Sequence, residues 1–400
     1  MANGVKIAAM ALIGALFLTS CLTGQRQAER AMLGAFTGLF GGGSSRHPRV
    51  RPLYRAVVDG DVAEVNRLIE EGADVNEVDG DLLTPLHFAA AKGNGAISQC
   101  LLARGADPNR EDDRGATPLQ YAAAQGHTWV VTLLLENGAL VETKDDDGFT
   151  PLHRAALDGN VDTVDALLEA GADINAGGDK GRTALHYAVR GGHTQAMRAL
   201  VSQGADVNAQ DDFGWSPVHV CYLAKEPRMA QWLVKRGADV SVATDDGVTA
   251  LHLTALGDWH RHAQFLLRRG ADIDARTRCE ITPLFIDLEA AEDTLPLEQK
   301  DLSDLGPLCD AAAKLLAQGN SDADAVSQGV PARNPEAGET PLHFAASVGA
   351  KSVAALLVDQ GAARETQNPS GKTPADIAQE AGYDELAREL TMAMQKVSGP

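Results

Sequence analysis

A short motif returns along this chain every 33 residues, and this period constrains the fold more than any other feature of the sequence. One copy is Thr150-Pro151-Leu152-His153-Arg154-Ala155-Ala156, which is followed by a leucine pair and by Gly171-Ala172-Asp173. The opening position of the motif is occupied by Arg51, Thr84, Thr117, Thr150, Thr183, Ser216, Thr249 and Thr282, and after a longer gap by Thr340 and Thr373. One such segment has too little apolar surface to fold alone. About ten copies in register predict a solenoid, in which each repeat buries its apolar face against its neighbours.

The repeat that opens at Thr84 shows how one copy is expected to fold. Thr84 is a good helix N-cap, and Pro85 is a good first helical residue because its missing N–H would have no partner there. Gly93 and Gly105 then end two short helices, whose apolar residues recur at helical spacing. A polar turn rich in Asp, Asn and Gly leads to the next repeat. Each repeat is therefore predicted to be a helix pair followed by a hairpin-like turn.

This unit resembles the ankyrin repeat in its period, in its Thr-Pro-Leu-His opening and in its Gly-Ala-Asp close, over residues 51–394. The resemblance implies an all-α repeat solenoid, an ankyrin-repeat array of about ten helix-turn-helix and β-hairpin units. It also implies a structural role for the histidine of the motif, which is present as His87, His153, His186, His219, His252 and His343. Gln120 fills the same position once.

Three repeats depart from the pattern without a long insertion. The first opens with Arg51-Pro52-Leu53-Tyr54 and the last with Thr373-Pro374-Ala375-Asp376, and both are interpreted as end caps that face water on one side. The Ser216 repeat has Lys225-Glu226-Pro227 where glycine is usual, which predicts a local distortion.

The repeat expected from Thr282 carries two insertions, which give loops at residues 290–306 and 320–335. Long loops in compact arrays are often functional. A tolerated surface insertion explains them equally well, and both interpretations stay open.

The N-terminus predicts export. Residues 1–20 combine Lys6 with an apolar run that is too short to span a bilayer, as in a signal peptide. Leu18-Thr19-Ser20-Cys21 resembles a bacterial lipobox, which implies cleavage before Cys21 and lipidation of that cysteine. An ordinary signal peptide with a chance cysteine is the alternative. Leu22 after the cysteine favours the outer membrane by the same resemblance, so the expected location is the bacterial cell envelope, facing the periplasm.

Residues 21–50 are expected to be a tether with a reach of roughly 30 Å. Its apolar stretch 31–40 would lie on the membrane or cap the first repeat. The array would follow at residues 51–394, and residues 395–400 would form a tail.

The charge balance limits the class of partner. The chain has 35 basic and 55 acidic residues and a formal net charge of -20. Because phosphate binding depends on basic charge, this balance argues against nucleic acid. We expect a basic or neutral protein partner, with the membrane contacted only through the lipid anchor.

Catalytic and metal motifs are weak. No nucleophile arrangement or phosphate loop appears at a meaningful spacing, so neither an enzyme activity, a cofactor nor a small-molecule substrate is expected. His260 and His262 lack further ligands for zinc. Asp145 is interpreted as a turn residue rather than a calcium ligand. The remaining cysteines are Cys100, Cys221, Cys279 and Cys309; the first two are too far apart in the array for a disulfide, whereas pairing of the last two is left open.

In a solenoid, the residues that vary between repeats at fixed positions are the expected contacts. Four residues before the opening position lies an acidic series, made of Asp113, Asp146, Asp179, Asp212 and Asp245. Near it lie three aromatic residues and one arginine, namely Phe149, Phe213, Trp215 and Arg182. Exposed aromatics flanked by charge are typical of interface hot spots. On the helix side of this face we expect Lys92, Gln125, Asp158 and Arg190.

The sequence therefore predicts a non-enzymatic, envelope-anchored scaffold that binds a protein through its concave hairpin face. One alternative is an immunity or inhibitor lipoprotein that sequesters a toxin or enzyme. Another is an envelope enzyme whose site is built by residues 290–306.

Overall fold

A computed structural model describes residues 51–277 and 338–395, with side chains up to residue 391. The described residues belong to two compact bodies, an N-terminal body of residues 51–244 and a C-terminal body of residues 245–277 and 338–395. Within these ranges the regular structure is helical, with no strand longer than a single residue. None of the helices described is long and apolar enough to cross a membrane.

The helices occur in consecutive pairs. In residues 51–244 the pairs are α1 (Pro52–Asp59) with α2 (Val62–Glu70), α3 (Pro85–Ala91) with α4 (Gly95–Ala103), α5 (Pro118–Ala124) with α6 (Thr128–Glu136), α7 (Pro151–Leu157) with α8 (Val161–Glu169), α9 (Ala184–Arg190) with α10 (Thr194–Ser202), and α11 (Pro217–Leu223) with α12 (Pro227–Lys235). In the C-terminal body they are α13 (Ala250–Leu253) with α14 (His260–Arg268), α15 (Pro341–Val348) with α16 (Lys351–Asp359), and α17 (Pro374–Glu380) with α18 (Asp384–Gln395). The predicted helical repeat solenoid is confirmed.

The recurring Thr-Pro-Leu-His motif forms the start of the first helix in each pair. In the repeat from Thr150, the threonine side chain accepts the N–H of His153, and His153 Nδ1 accepts the N–H of Thr150 at 3.0 Å. An Nδ1 atom that accepts a backbone N–H carries no proton, so the proton lies on Nε2. Nε2 then donates to the carbonyl of Ala176 at 2.9 Å. The histidine thus ties the helix start to the turn that follows its own repeat, and its predicted structural role is confirmed.

A glutamine and a tyrosine connect the helix start to the following turn in the same way. Gln120 Nε2 donates to the carbonyls of Thr143 at 3.4 Å and Phe149 at 2.6 Å. In the first repeat the Tyr54 hydroxyl lies 2.7 Å from the carbonyl oxygens of both Glu77 and Leu83. The first repeat therefore keeps this connection although its opening motif differs.

The core is built from small and aliphatic side chains at fixed positions in the repeat. In most of the described repeats the residue two positions after the opening position is a leucine that is at most 2% exposed, as in Leu86, Leu119, Leu152 and Leu185. Three residues later an alanine is fully buried in Ala89, Ala122, Ala155 and Ala188. Because alanine is small, neighbouring helices can approach closely at this position.

In some repeats a side chain just before the second helix joins neighbouring repeats. His127 Nε2 lies 3.1 Å from the carbonyl of Ala91, and Asn160 Nδ2 donates to the carbonyl of Ala124 at 2.7 Å. The residue before this position has positive φ and is usually glycine. In the Ser216 repeat it is Lys225, which keeps the same left-handed conformation at φ 58°, so the local distortion expected there stays a prediction.

In the C-terminal body the Thr340 repeat packs directly against the Thr249 repeat, with α15 against α13 and α16 against α14. The Thr277 N–H donates to the carbonyl of Glu339 at 3.0 Å, and the Glu339 N–H donates to Thr277 Oγ1 at 2.9 Å. Two equivalent bonds join Asp112 and Ala116, which are only four residues apart: the Asp112 N–H donates to the Ala116 carbonyl, and the Ala116 N–H donates to Asp112 Oδ1. Thr277 and Glu339 thus close one turn, although they are 62 positions apart in sequence.

This order differs from the one expected from the sequence, in which a repeat from Thr282 would stand between the Thr249 and Thr340 repeats. Residues 278–337, which include Thr282, Cys279, Cys309 and both expected loops, lie outside the described residues. The position next to the Thr249 repeat is occupied by the Thr340 repeat, because Glu339 completes the turn that Thr277 begins.

Candidate functional site

Five-residue turns, which we call the fingertip turns, precede the opening positions of successive repeats. In the N-terminal body they are residues 79–83, 112–116, 145–149, 178–182 and 211–215. The first residue of each turn donates its N–H to the carbonyl of the fifth, as Asp145 does to Phe149 at 3.1 Å. An aspartate in the first position also accepts the N–H of the fifth residue, at 2.8 Å for Asp145 Oδ1. The expected β-hairpin is therefore a closed turn rather than a pair of strands.

The first-position aspartates are structural and were absent from the predicted site, apart from the interpretation of Asp145 as a turn residue. Asp112, Asp145 and Asp211 are only 6–7% exposed. Asp145 Oδ2 accepts from Arg154 Nη2 at 2.6 Å and Nε at 3.1 Å, and Asp112 Oδ2 accepts from the Tyr121 hydroxyl at 2.6 Å. Their recurrence in register was the sequence signal that could have identified them.

The predicted acidic series occupies the second position of every turn after the first, which has Gly80 there, and the backbone of this position links three of the four successive pairs of turns. The second-position N–H donates to the third-position carbonyl of the preceding turn at 2.9–3.0 Å, from Asp113 to Asp81, from Asp146 to Arg114 and from Asp212 to Lys180. The side chains of Asp113, Asp146 and Asp212 are exposed, and that of Asp179 is partly exposed. These three bonds join turns 79–83, 112–116 and 145–149 to one another and turn 178–182 to turn 211–215. We call the five turns, with their acidic side chains, the fingertip row.

Trp215 was predicted to be an exposed contact, and this prediction is wrong. The residue is 9% exposed. Its N–H donates to Asp211 Oδ1 at 2.8 Å and its carbonyl accepts from His186 Nε2 at 3.0 Å. Hydrogen bonds thus hold both the N–H and the carbonyl of this fifth-position residue. Its indole ring packs edge-on against the His219 ring, with 5.7 Å between the ring centroids. Trp215 therefore belongs to the core.

Phe149 and Arg182 also occupy the fifth position and contact their neighbours. The Phe149 ring lies 4.7 Å from the ring of Tyr187 and 4.1 Å from the guanidinium carbon of Arg154. Arg182 Nε lies 3.2 Å from Asp211 Oδ2 in the next turn. Both side chains are only partly exposed, so they contribute more to contacts with neighbouring residues than to a surface for a partner.

Phe213 is the aromatic residue that the fingertip row exposes. Its side chain is 49% exposed at the third position of the last turn, directly after the exposed Asp212. Leu82 is 42% exposed in the first turn, where it adopts φ 59°, a conformation usually left to glycine. The exposed apolar groups of the row are thus Phe213 and Leu82.

The other side chains predicted to lie at the binding face are Asp245, Lys92, Gln125, Asp158 and Arg190. Asp245 is exposed and belongs to the C-terminal body. Lys92, Gln125 and Asp158 each follow the last residue of a first helix, as expected. Burial raises the pKa of Asp158 to about 6. Arg190 is one position out of register, because the equivalent residue in its repeat is Gly191.

The cysteines and histidines of the described ranges give no sign of metal chemistry. Cys100 is a partly exposed free thiol and Cys221 a buried one, which takes the position of the fully buried alanines. Burial raises the pKa of both thiols. His260 Nδ1 lies 3.0 Å from the carbonyl of Ser352. Within the residues described, no three His, Cys, Asp or Glu side chains are grouped as metal ligands.

Comparison with known proteins matches the family of ankyrin repeats (three copies) at residues 53–145, 99–177, 140–211, 199–277 and 307–398. Similar curated proteins include ARF GTPase-activating protein GIT2 of Mus musculus, which is 49% identical over 57 residues, 14% of this chain and 8% of that protein. ARF GTPase-activating protein GIT1 of Homo sapiens is 47% identical over 57 residues, again 14% of this chain and 8% of that protein. Ankyrin repeat domain-containing protein 37 of Mus musculus is 46% identical over 55 residues, 14% of this chain and 35% of that protein.

The chain thus spans less than a tenth of the two GTPase-activating proteins, and the similarity is confined to a short stretch of repeats. The family match, in contrast, covers most of the chain. With its helix pairs, its histidine ties and its row of fingertip turns, this chain belongs to the ankyrin-repeat family, whose arrays are protein–protein interaction scaffolds.

Proposed function

We propose that this chain is a non-enzymatic scaffold that holds a protein partner along the fingertip row, and that a lipid anchor at Cys21 displays it in the bacterial cell envelope. The observation that carries the binding proposal is the row itself. Backbone hydrogen bonds between turns position the segments that carry the exposed carboxylates of Asp113, Asp146 and Asp212, with Phe213 exposed at one end. Because the backbone of these turns is ordered before binding, a partner would not have to supply the free energy for arranging it.

The chemistry of the row favours a partner with a basic surface and an apolar pocket. Exposed carboxylates attract a basic partner and raise its association rate more than its final affinity. Phe213 would enter the pocket and lose its contact with water, as interface hot spots do. The net charge of -20 adds to the steering.

Site-specific photo-crosslinking tests this proposal. A photoreactive amino acid is placed at position 213 or at position 129 of the full chain, in intact cells of the source organism. Trp129 is a matched control, because it is 67% exposed and lies on the second helix α6, away from the fingertip turns. We expect one discrete crosslinked protein from position 213, and its loss when Asp146 and Asp212 are both changed to Asn.

The same crosslinked protein from both positions, or none from position 213, would contradict the assignment of the row. A crosslinked protein that persists in Asp146→Asn/Asp212→Asn would show that the acidic residues do not contribute.

The anchor is supported by Leu18-Thr19-Ser20-Cys21 at the end of the apolar run, and these residues lie outside the described ranges. Growth with labelled palmitate should label the wild-type protein and the Cys100→Ala control but not Cys21→Ala. Fractionation should place the labelled protein in the outer membrane. Labelling of Cys21→Ala would contradict the lipid anchor, and recovery in the inner membrane would contradict the location.

A further inference from the structure

The second helices α10 and α12 of the N-terminal body carry a basic surface on this acidic protein. Neither helix contains an Asp or Glu. The outward side chains of these helices, together with that of the residue after α12, include four cations and one tryptophan, which we call the α10/α12 patch: Arg198, Arg228, Trp232, Lys235 and Arg236. The four cations are exposed, and Trp232 is partly exposed. The patch is separate from the fingertip row, whose acidic side chains belong to the turns.

No carboxylate in the part of the chain that the structure describes forms an ion pair with the cations of the patch. Elsewhere in the N-terminal body some exposed arginines form ion pairs, for example Arg67 with Glu64 and Arg55 with Asp59, whereas the exposed Arg110 and Arg114 form none with described residues. Among the described residues, none of the four cations of the patch forms an ion pair. Two of them instead lie over an aromatic ring. The guanidinium carbons of Arg236 and Arg198 lie 4.8 Å and 5.7 Å from the centroid of Trp232.

The local sequence explains why side chains, rather than helix packing, connect α10 and α12. The second helices α6, α8 and α10 each pack closely on the one before, whereas α12 touches α10 less. In the earlier repeats His127 or Asn160 donates to a carbonyl of the preceding repeat. The equivalent residue before α12 is Glu226, whose side chain has no N–H to donate. Arg198 and Trp232 therefore bridge the two helices on the outer side.

We propose that the α10/α12 patch is a second docking surface, which binds an acidic segment of a protein partner. Carboxylates of the segment would pair with the guanidinium groups of Arg198, Arg228 and Arg236. An apolar side chain of the segment would cover the exposed part of Trp232. The scaffold then holds two partners of opposite charge on separate surfaces of one body.

Three features favour a protein segment over an anionic membrane. Three of the four cations are arginines, whose planar guanidinium groups match carboxylates in two-point contacts. Trp232 lies between arginine side chains and is only partly exposed, so its ring cannot insert deeply into lipid. A net charge of -20 would repel an extended anionic surface, whereas a short segment contacts the patch alone.

Fluorescence anisotropy with the purified full chain tests the proposal. The probe is a short, fluorescein-labelled peptide of glutamate and leucine at moderate salt. We expect saturable binding to the wild type and a loss of affinity of about tenfold or more in Arg198→Glu/Arg236→Glu. Trp232→Ala should weaken binding by about fivefold. Far-UV circular dichroism and thermal unfolding establish that the variants remain folded.

The matched control is Arg104→Glu/Arg110→Glu, which changes the net charge by the same amount at two exposed arginines outside both the patch and the fingertip row. It should bind the peptide within about twofold of the wild type. Equal losses in both double variants would reduce the effect to general charge and overturn the proposal, as would unchanged binding in Arg198→Glu/Arg236→Glu. Patch-dependent binding to phosphatidylglycerol vesicles without peptide binding would overturn it in favour of a membrane.

Discussion

At the scale of single residues, the histidine of the opening motif couples folding to pH. His153 is 1% exposed, its Nδ1 accepts a backbone N–H, and its Nε2 donates to a carbonyl. Protonation would place a second N–H against the N–H of Thr150, so the folded repeat resists it. Burial lowers the pKa of His153 to about 4, and the same cause lowers the pKa of His87, His186, His252 and His343 to about 4.

The array should therefore lose stability as the pH falls below about 6.5, the pKa of a histidine in an unfolded chain. Between that pH and about 4 the unfolded chain binds protons that the folded chain does not, so stability is full above the interval and falls within it. Replacing His153 with Gln should reduce the loss between pH 7 and pH 5 by about 1–2 kcal/mol. Gln120 shows that a glutamine makes the same tie and cannot titrate.

Urea denaturation at both pH values measures this effect. The reverse exchange, Gln120→His, is the matched control and should increase the loss. An identical pH dependence in the wild type and both variants would contradict the role assigned to the histidine.

Replacing either of two neighbouring aromatic residues with alanine should change the free energy of unfolding by very different amounts. Trp215 is 9% exposed and Phe213 is 49% exposed. Trp215→Ala should cost about 3–5 kcal/mol because it leaves a cavity, whereas Phe213→Ala should change the free energy of unfolding by less than about 1 kcal/mol. Chemical denaturation of both variants measures the difference. Similar losses would mean that Phe213 is part of the core rather than a surface for a partner.

At the scale of elements, the helix pairs could be predicted from the sequence and the side-chain directions in the turns could not. Thr, Pro and Gly at fixed positions determine where helices begin and end, and these positions recur in register. A five-residue closed turn has no such periodicity of side-chain direction. Trp215 follows Asp211 and Asp212 closely in sequence, and this position therefore predicted an exposed side chain. The hydrogen bonds of the turn instead direct its ring inward.

The register of the repeats also explains why the Thr282 repeat was expected in the stack. Thr282 lies 33 residues after Thr249, so the sequence period continues through it. Closure of the turn by Thr277 and Glu339 depends on a contact between residues 62 positions apart, and no local pattern encodes it.

The connection between second helices gives a prediction at this scale. Glu226→Asn should stabilise the N-terminal body by about 1 kcal/mol, because an asparagine at the equivalent position, Asn160, donates to the carbonyl of Ala124. Asn160→Glu is the matched control and should destabilise it by about 1–3 kcal/mol, since a buried acceptor loses its donor. Thermal unfolding of both variants provides the measurement. Destabilisation by Glu226→Asn would show that the carboxylate has a favourable role of its own.

At the scale of the whole molecule, the described repeats of the C-terminal body form a continuous stack without residues 278–337. α15 packs on α13 and α16 packs on α14, so the Thr249 repeat already has its neighbour. Each repeat of a solenoid is stabilised by the repeats on either side. We therefore expect the contacts within residues 245–277 and 338–395 to be sufficient for the stability of this interface.

Deletion of residues 279–336 tests this conclusion. The shortened joint reads Thr277-Arg278-Ala337-Gly338-Glu339-Thr340, which has the length of Asp112-Asp113-Arg114-Gly115-Ala116-Thr117. Because the bonds between Thr277 and Glu339 can still form, the deletion should lower the free energy of unfolding by less than about 1 kcal/mol. Deletion of residues 279–338 is the control; it leaves the turn two residues short, so Thr277 and Glu339 can no longer close it, and thermal unfolding should begin earlier. Equal destabilisation by the two deletions would mean that the removed segment contributes a repeat on which the stack depends.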